Sequence, residues 1–250
     1  MTTDVDARFL AADTETGGLD CRVNPLLSVA LVSANAVLDE VDGFEIKIKP
    51  PQGTRMELVA AADQQLGNYR KRVLGYFDVY TKERFADQGT GPLISAGAAE
   101  VNGYVRFKST EKDGWLTDPS GLPVGPDDWH RRAFSLKDAE HTLRTHIRQW
   151  FATAPVVVAH NAEFDQRFVR QWLPAFYADL HPSWLCTMRS FERRVKVATP
   201  GARKGWKLSD LCKAAGHELA NAHEALADTR GVVKGLKWLS ANKYEICRVG

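Results

Sequence analysis

The 250-residue sequence predicts a mixed α/β fold built from layers of sheet and helix. Three short strand patterns open the chain, at 8–13, 26–33 and 43–49, and the third alternates apolar with charged residues, as a strand with one solvated face does. Three strands in quick succession indicate a meander that opens a sheet. From Ser135 onward, helical and strand patterns alternate, which favours a sheet flanked by helices.

The chain, residues 1–250, is interpreted as one domain with two insertions, at about 51–94 and 103–130, the first of which follows the third strand. The first insertion contains apolar residues at three- and four-residue steps, which predict a helix: Leu66, Tyr69, Val73, Phe77 and Tyr80. Our hypothesis is that this helix forms a flap near a substrate channel; a packed structural appendage is the alternative. The second insertion, rich in glycine and proline, is predicted to be a long loop or a small hairpin.

The second half of the chain contains regular elements. Ser135 is predicted to cap a helix that ends near Phe151, and the β-branched run at 154–160 predicts a strand buried on both faces. Asn161 is expected to cap a helix over 161–173. A short strand at "SWLCT", a short helix ending at Gly216 and a long final helix complete the prediction.

Composition limits the class of protein. The chain is 44% hydrophobic and 26% charged, with a net charge of +2, so any nucleic-acid surface must be a local patch. Its four cysteines form no CxxC pair, which argues against a zinc site or a disulfide framework and suits a reducing compartment. Because the N-terminus lacks a signal-peptide layout and no apolar run approaches the ~20 residues that span a bilayer, we expect a soluble cytoplasmic protein.

Three acidic clusters stand at predicted element ends. Asp13 and Glu15 close the first strand, and Asp165 follows the buried strand at 154–160, so both clusters lie at the strand edge where α/β sheets bind ligands. His223 and Asp228 are five residues apart, and on one helix they would point about 140° away from each other. If the two residues cooperate at one site, His223 must therefore lie in the loop or cap before the final helix, with Asp228 one turn in.

These residue types predict a metal-dependent hydrolytic site. Carboxylates without a Cys or His cluster select hard ions such as Mg²⁺ or Mn²⁺. Three or four carboxylates can hold two such ions ~4 Å apart, an arrangement that attacks a phosphodiester in line. A neutral histidine nearby can take the proton of the attacking water at physiological pH.

The sequence resembles the DnaQ-like 3′–5′ exonucleases of the DEDDh type, which have an RNase H-like fold. The resemblance rests on "DTETG" (13–17), "AHNAEFD" (159–165) and "HEALAD" (223–228), in that order, and "AAEVNGY" (98–104) is similar to the family's "VHGI"-like segment. It implies that the metal ligands are Asp13, Glu15, Asp165 and Asp228 and that His223 is the general base. It further implies substrate contacts from Thr16, Gly17, Leu19, His160, Asn161 and Phe164.

The implied activity is metal-dependent hydrolysis from the 3′ end of a single strand, with two Mg²⁺ or Mn²⁺ ions per site and release of nucleoside 5′-monophosphates. DNA is favoured over RNA as substrate, in replication or repair; an exoribonuclease trimming RNA ends is the alternative. A non-catalytic nucleic-acid-binding module would have lost one of the four acids or His223, and all five are present. A homodimer and a polymerase partner are both compatible with the resemblance, whereas no membrane partner is expected.

One basic segment remains outside these motifs. Residues 188–207 contain seven lysines or arginines and one acid. Two interpretations stay open: a solvated loop, or a strip that contacts the phosphates of a single strand.

Overall fold

The computed structural model describes residues 7–60, 72–108, 114–198, 206–219 and 224–249. Two compact units divide the chain. The first unit consists of Met1–Thr14, Val29–Ile46 and Glu140–Gly250, and the second of Glu15–Ser28 and Lys47–Ala139. Both predicted insertions fall within the second unit.

The described strands are β1 (Ala7–Thr16), β2 (Leu26–Asn35), β3 (Glu40–Lys47), β4 (Arg55–Val59), β5 (Val73–Asp78), β6 (Arg84–Phe85), β7 (Leu93–Ile94), β8 (Val156–Ala159), β9 (Trp184–Cys186) and β10 (Cys247–Val249). The described helices are α1 (Ala96–Val101), α2 (Pro126–Arg132), α3 (Leu136–Trp150), α4 (Ala162–Trp172), α5 (Pro174–Ala178), α6 (Thr187–Ala198), α7 (Leu208–Ala214) and α8 (Ala225–Ala241). The mixed α/β class predicted from the sequence is confirmed.

A six-stranded sheet forms the main layer, with the strand order β10-β9-β8-β1-β2-β3. The three opening strands are neighbours in it, as the sequence predicts. β8 pairs in parallel with β1, Ala11 lying opposite Val158, and also in parallel with β9. Because β1 and β8 run in the same direction, their carboxyl ends reach the same edge of the sheet.

The predicted end of β1 needs correction, whereas the start of α8 agrees with the prediction. β1 continues beyond Asp13 to Thr16, so both acids of the first motif lie on the strand rather than after it. α8 begins at Ala225 with Glu224 as its N-cap residue, and Asp228 lies in its first turn, as expected. The basic segment contains a helix that the sequence analysis did not predict, α6.

Helix α8 covers the sheet around β1 and β8. Val232 and Val233 share a buried apolar cluster with Ala11 and Val158. Its glycines permit close packing, since a Cβ at Gly235 would come within 2.4 Å of the Leu211 side chain on α7. The first turn of α8, which carries Asp228, therefore belongs to a helix that is closely packed against its neighbours.

Helix α3 follows its predicted pattern. Ser135 Oγ accepts a hydrogen bond from Asp138 N–H at 3.2 Å and donates to Asp138 Oδ2 at 2.6 Å, which closes the first turn as a capping arrangement. The apolar face of α3 is buried at Ala139, Leu143 and Ile147.

The helix predicted within 51–94 is wrong where the structure describes it. Val73 and Phe77 lie on strand β5 and Tyr80 follows that strand, while Leu66 and Tyr69 lie outside the described residues. β5 pairs antiparallel with β4, in a sheet ordered β6-β5-β4-β7. Phe77 and Val79, two residues apart, are both fully buried, as expected on one face of a strand. Pairing with β4 therefore determines the structure of this segment, although its three- and four-residue apolar spacing is compatible with a helix.

The segment 103–130, predicted to be a loop or hairpin, contributes to the core of the second unit. Antiparallel bridges join Phe107 to Trp115 and Thr117 to Pro123, and Trp115, Leu122 and Trp129 are buried. α2 begins after Gly125, whose φ is +139°. A Cβ there would lie 2.4 Å from the Tyr104 carbonyl oxygen, so this close approach of two backbone segments requires glycine.

Within the described residues, no helix combines the length and apolar character needed to cross a lipid bilayer.

The second unit contains a half-buried histidine that predicts a pH-dependent stability. His130 Nε2 is 2.8 Å from Tyr104 Oη, and the His130 ring stacks on Tyr80 at 4.5 Å. Burial, aided by Lys82, lowers the pKa of His130 from 6.5 to about 4. Because the folded state favours neutral His130, its contribution to stability is complete above about pH 6.5 and is lost as the pH falls toward 4.

Urea unfolding between pH 4 and 8 tests this prediction with His130→Gln, in which the amide can still hydrogen-bond Tyr104. The wild-type free energy of unfolding should fall more steeply between pH 6.5 and 4 than that of the variant. Parallel curves over that range would contradict the assignment to His130.

Candidate active site

Strand β1 presents the first two acids on one face. Asp13 and Glu15 are half-buried and alternate with the buried Thr14 and Thr16, so both carboxylates leave the same side of the strand. The register that places Ala11 opposite Val158 brings Ala159, the last residue of β8, to the level of Ala12, next to Asp13. The division between the two units falls between Thr14 and Glu15.

Asp165 is held against β1 by Thr14. It lies in the first turn of α4, with a side chain only 3% exposed. Asp165 Oδ1 accepts hydrogen bonds from Thr14 N–H at 3.0 Å and from Thr14 Oγ1 at 2.8 Å. The structure thus joins the first and second motifs, which are 151 residues apart, through a threonine that the sequence analysis did not select.

The environment of Asp165 disfavours its charge. Burial raises the pKa of Asp165 from 3.8 to about 7, and the Thr14 donors offset part of that effect. A buried carboxylate is normally compensated by an opposite charge or by a metal ion. This environment fits a ligand for a divalent cation, which would favour the ionised form of Asp165.

Asp228 lies one turn before Val232, which packs on the sheet beside Ala11 and Val158. The negative charge of Asp228 also affects Cys212 of α7. Burial raises the pKa of the Cys212 thiol, and Asp228 raises it further, to about 11. His223 lies outside the described residues. Its predicted position before the final helix therefore stays a prediction.

The oxygen-only donor set of the four acids fits Mg²⁺ or Mn²⁺. Across the portion of the chain that the structure describes, no three Asp, Glu, His or Cys side chains come close enough together to hold a metal ion. What the structure brings together is Asp165 and the strand that carries Asp13, through Thr14.

His160, predicted to contact substrate, lies in an internal network. Its Nε2 is 2.9 Å from the Trp206 carbonyl oxygen and its Nδ1 is 3.1 Å from Thr187 Oγ1. Because a carbonyl oxygen only accepts, Nε2 carries the hydrogen and Nδ1 accepts from Thr187. Burial lowers the pKa of His160, which favours this neutral form.

The other predicted substrate residues of α4 occupy its start. Asn161 is exposed at the N-cap position, where its carbonyl oxygen accepts from Phe164 N–H at 2.8 Å. Its side chain makes no capping hydrogen bond, contrary to the predicted cap. Phe164 is half-buried, with its ring 4.8 Å from that of Phe168.

The turn after β1 is held by hydrogen bonds between its own residues and to Pro25. Thr16 Oγ1 donates to the Gly18 carbonyl oxygen at 2.6 Å, and Gly17 N–H donates to the Pro25 carbonyl oxygen at 2.8 Å. A nucleotide that accepts from Gly17, as the resemblance implies, would share that hydrogen with Pro25. Leu19 is 74% exposed and leaves a large apolar surface open to a ligand.

Asn102, in the "VHGI"-like segment, is a positioning residue that the sequence analysis missed. Its Nδ2 donates to the Thr16 carbonyl oxygen at 2.9 Å, and its Oδ1 accepts from Tyr104 N–H at 3.2 Å. Ser95 N–H donates to the Gly17 carbonyl oxygen at 2.7 Å, and Asn24 Nδ2 to the Leu93 carbonyl oxygen at 2.7 Å. The segment from Leu93 to Tyr104 therefore holds the chain that follows the acids.

Comparison with known proteins defines the class of fold. Residues 131–236 match the RNase_T family model, described as an exonuclease, and this range includes the second and third motifs. The match confirms the resemblance to DnaQ-like exonucleases. No curated protein matches the chain in sequence.

Solved structures of exonuclease I share the RNase H-like fold of this chain. A zinc-bound Escherichia coli exonuclease I–single-stranded DNA complex has a TM-score of 0.57 at 15% identity, over 95% of this chain and 41% of that one. The same enzyme with a dT13 oligonucleotide has a TM-score of 0.55 at 14% identity, over 95% and 42%. Exonuclease I from Methylocaldum szegediense has a TM-score of 0.56 at 14% identity, over 95% and 41%. The chain spans about two fifths of the length of these proteins.

Proposed function

We propose that the protein is a metal-dependent 3′–5′ exonuclease that hydrolyses single-stranded nucleic acid, with DNA favoured, and releases nucleoside 5′-monophosphates. The observation that carries the proposal is the buried Asp165 carboxylate hydrogen-bonded to Thr14, between Asp13 and Glu15 on β1. The RNase H-like fold and the exonuclease family match support the same reaction class.

In this proposal Asp13, Glu15, Asp165 and Asp228 hold divalent cations, Mg²⁺ or Mn²⁺, two per site. When bound, the cations would lower the pKa of the attacking water and stabilise the departing oxygen. Thr14 fixes Asp165 through Oδ1, which leaves the Oδ2 atom of that carboxylate for a ligand role. His223 takes the proton of the attacking water as general base.

The remaining predicted residues receive supporting roles in the proposal. Leu19, exposed beside the first motif, packs against the terminal base, with Phe164 at the start of α4. Thr16, Gly17 and Asn161 orient the terminal nucleotide. His160 ties the end of β8 to Trp206 and thereby positions the start of α4, in addition to any contact with substrate.

A product assay on matched DNA and RNA strands, labelled at the 3′ or the 5′ end, tests the proposal with Mg²⁺, Mn²⁺ or EDTA. We expect a 3′ label to be released at once as a mononucleotide, a 5′-labelled strand to shorten stepwise, and EDTA to stop both reactions. DNA should be degraded faster than RNA.

A circular single strand is the matched control, because it has the same bonds and no end. Efficient cutting of the circle would contradict the exonuclease assignment. Degradation of RNA alone would establish the exoribonuclease alternative, and binding of strands without hydrolysis under any metal condition would establish a non-catalytic module.

A further inference from the structure

Two adjacent clefts of about 640 and 300 Å³ lie where α6 meets the chain around β10. Both are lined by Arg193 and Glu245. The other cationic residues lining them are Arg189, Lys196 and Arg248 in the larger cleft and Arg194 and Lys243 in the smaller. Against these six cations stand two acids, Glu192 and Glu245, so the lining, which we call the α6–β10 surface, is positively charged.

The basic residues of α6 form a stripe. Arg189, Arg193 and Lys196 occupy positions i, i+4 and i+7 of the helix and therefore share one face. The stripe begins beside the second motif: Arg189 forms a 2.5 Å ion pair with Glu163, two residues before Asp165, and Met188 N–H donates to the His160 carbonyl oxygen at 2.8 Å. Cationic side chains thus lead away from the proposed catalytic residues along one helix face.

Present ion pairs do not prevent these cations from binding another anion. Arg193 pairs with Glu245 and Lys196 with Glu192, at 2.5 and 2.6 Å, and the cationic side chains are 56% and 43% exposed. Solvent screens an exposed pair such as Arg193–Glu245, which therefore contributes little to stability, so a phosphate can replace the Glu245 carboxylate at little cost. Such pairs also hold the cationic side chains at the surface before a ligand arrives.

An aromatic ring adjoins the same cations. The Arg194 guanidinium lies 4.9 Å from the centre of the Tyr244 ring, which packs on Trp238 at 5.4 Å. Cationic grooves with interleaved aromatic rings are typical of surfaces that bind single-stranded nucleic acid without sequence preference. A flexible polyanion with planar bases fits this combination better than an isolated phosphate does.

We propose that the α6–β10 surface binds the sugar–phosphate backbone of the substrate strand, on the 5′ side of the terminal nucleotide. The inference rests on the proposed exonuclease function, because it assigns a path to the strand whose 3′ end is hydrolysed. Arg189 lies nearest the second motif, while Arg193, Lys196 and Arg248 contact phosphates farther along. The surface therefore determines how strongly long strands bind, while the acids determine how the terminal bond is hydrolysed.

The test compares R193Q/R248Q with K234Q/K237Q, a control pair that removes the same charge from exposed positions of α8. Binding of a labelled oligothymidylate of about 12 nucleotides, within the usual site size, is measured in EDTA over a range of salt concentrations. Each phosphate contact with a single strand contributes about 0.7 to the slope of log affinity against log salt. We expect R193Q/R248Q to weaken binding and reduce that slope by about 1.4, and K234Q/K237Q to match the wild type.

Hydrolysis of a nitrophenyl ester of thymidine monophosphate, which is too short to reach the surface, is measured in parallel with metal. Equal kcat/KM for all three proteins is expected, whereas a loss confined to R193Q/R248Q would mean a structural effect and overturn the inference. An unchanged salt slope in R193Q/R248Q would also overturn the inference. It would be overturned as well if R193Q/R248Q still bound the oligothymidylate but had lost binding to phosphatidylserine vesicles, since the surface would then bind lipid headgroups. If none of the three proteins hydrolyses the ester, nor the oligothymidylate when metal is added, the proposed function fails, and the salt slopes still decide whether the surface binds the strand.

Discussion

Asp165→Asn is expected to abolish hydrolysis and, in EDTA, to raise the melting temperature of the protein at pH 8. Folding raises the pKa of Asp165 from 3.8 to about 7, so the folded state favours the protonated form, and the ionised carboxylate destabilises the metal-free protein above pH 7. Asparagine removes that charge and can still accept from Thr14. As the pH falls from about 7 toward 4, Asp165 of the wild-type protein becomes protonated and its destabilising effect disappears. The melting temperatures of the wild type and of Asp165→Asn should therefore converge near pH 4.

Thermal unfolding at pH 8 and pH 4.5, together with the strand-degradation assay, checks both parts of this prediction. Glu163→Gln is the matched control, because it neutralises an exposed acid on the same turn of α4. That variant should keep its activity and show no stabilisation specific to pH 8. If Asp165→Asn is destabilised equally at both pH values, Asp165 is not held in a charge-disfavouring environment.

His223→Ala is expected to reduce kcat by about 10²–10⁴-fold, the usual contribution of a general base, while metal affinity stays nearly unchanged. The variant should lose the acidic limb of the pH–rate profile and retain a slow reaction that increases with hydroxide. Asp13→Ala should instead lose metal affinity together with activity, because it removes a ligand. Calorimetric titration with Mn²⁺ and kcat measured from pH 5.5 to 9 separate the two behaviours.

His141→Ala, at an exposed position of α3, controls for the loss of an imidazole and should behave like the wild type. If His223→Ala loses metal affinity as completely as Asp13→Ala does, His223 is a ligand or a structural residue. The assignment of the general base would then be wrong.

The sequence was sufficient for features that depend on short-range patterns. β8 is a β-branched run buried in the middle of the sheet, and Ser135 begins α3 through local hydrogen bonds. The same kind of pattern placed Asp228 in the first turn of α8. In each case the determining interactions are local, or depend only on burial, and residue type alone encodes them.

Long-range partners could not be predicted. Thr14 meets Asp165 across 151 residues, and Asn102 meets Thr16 across 86, and neither contact leaves a periodic signal in the sequence. The helix predicted through Phe77 failed for the same reason. The apolar spacing there is compatible with a helix, and pairing with β4 makes the segment a strand.

The pairing of β4 with β7 has a consequence for how the length of this chain can vary. Arg55 lies opposite Leu93 and Met56 opposite Ile94, in parallel, so the intervening excursion leaves and rejoins the unit at neighbouring positions. Within it, Phe77 and Val79 share a buried cluster with Ala99 and Tyr104, whereas residues gained or lost beyond the paired Val59 and Val73 need not displace Ser95 or Asn102, which hold the turn after the acids. Since the entropic cost of a longer loop increases only as the logarithm of its length, the connection between β4 and β5 can change in length at little cost while the hydrogen bonds to Thr16 and Gly17 are retained.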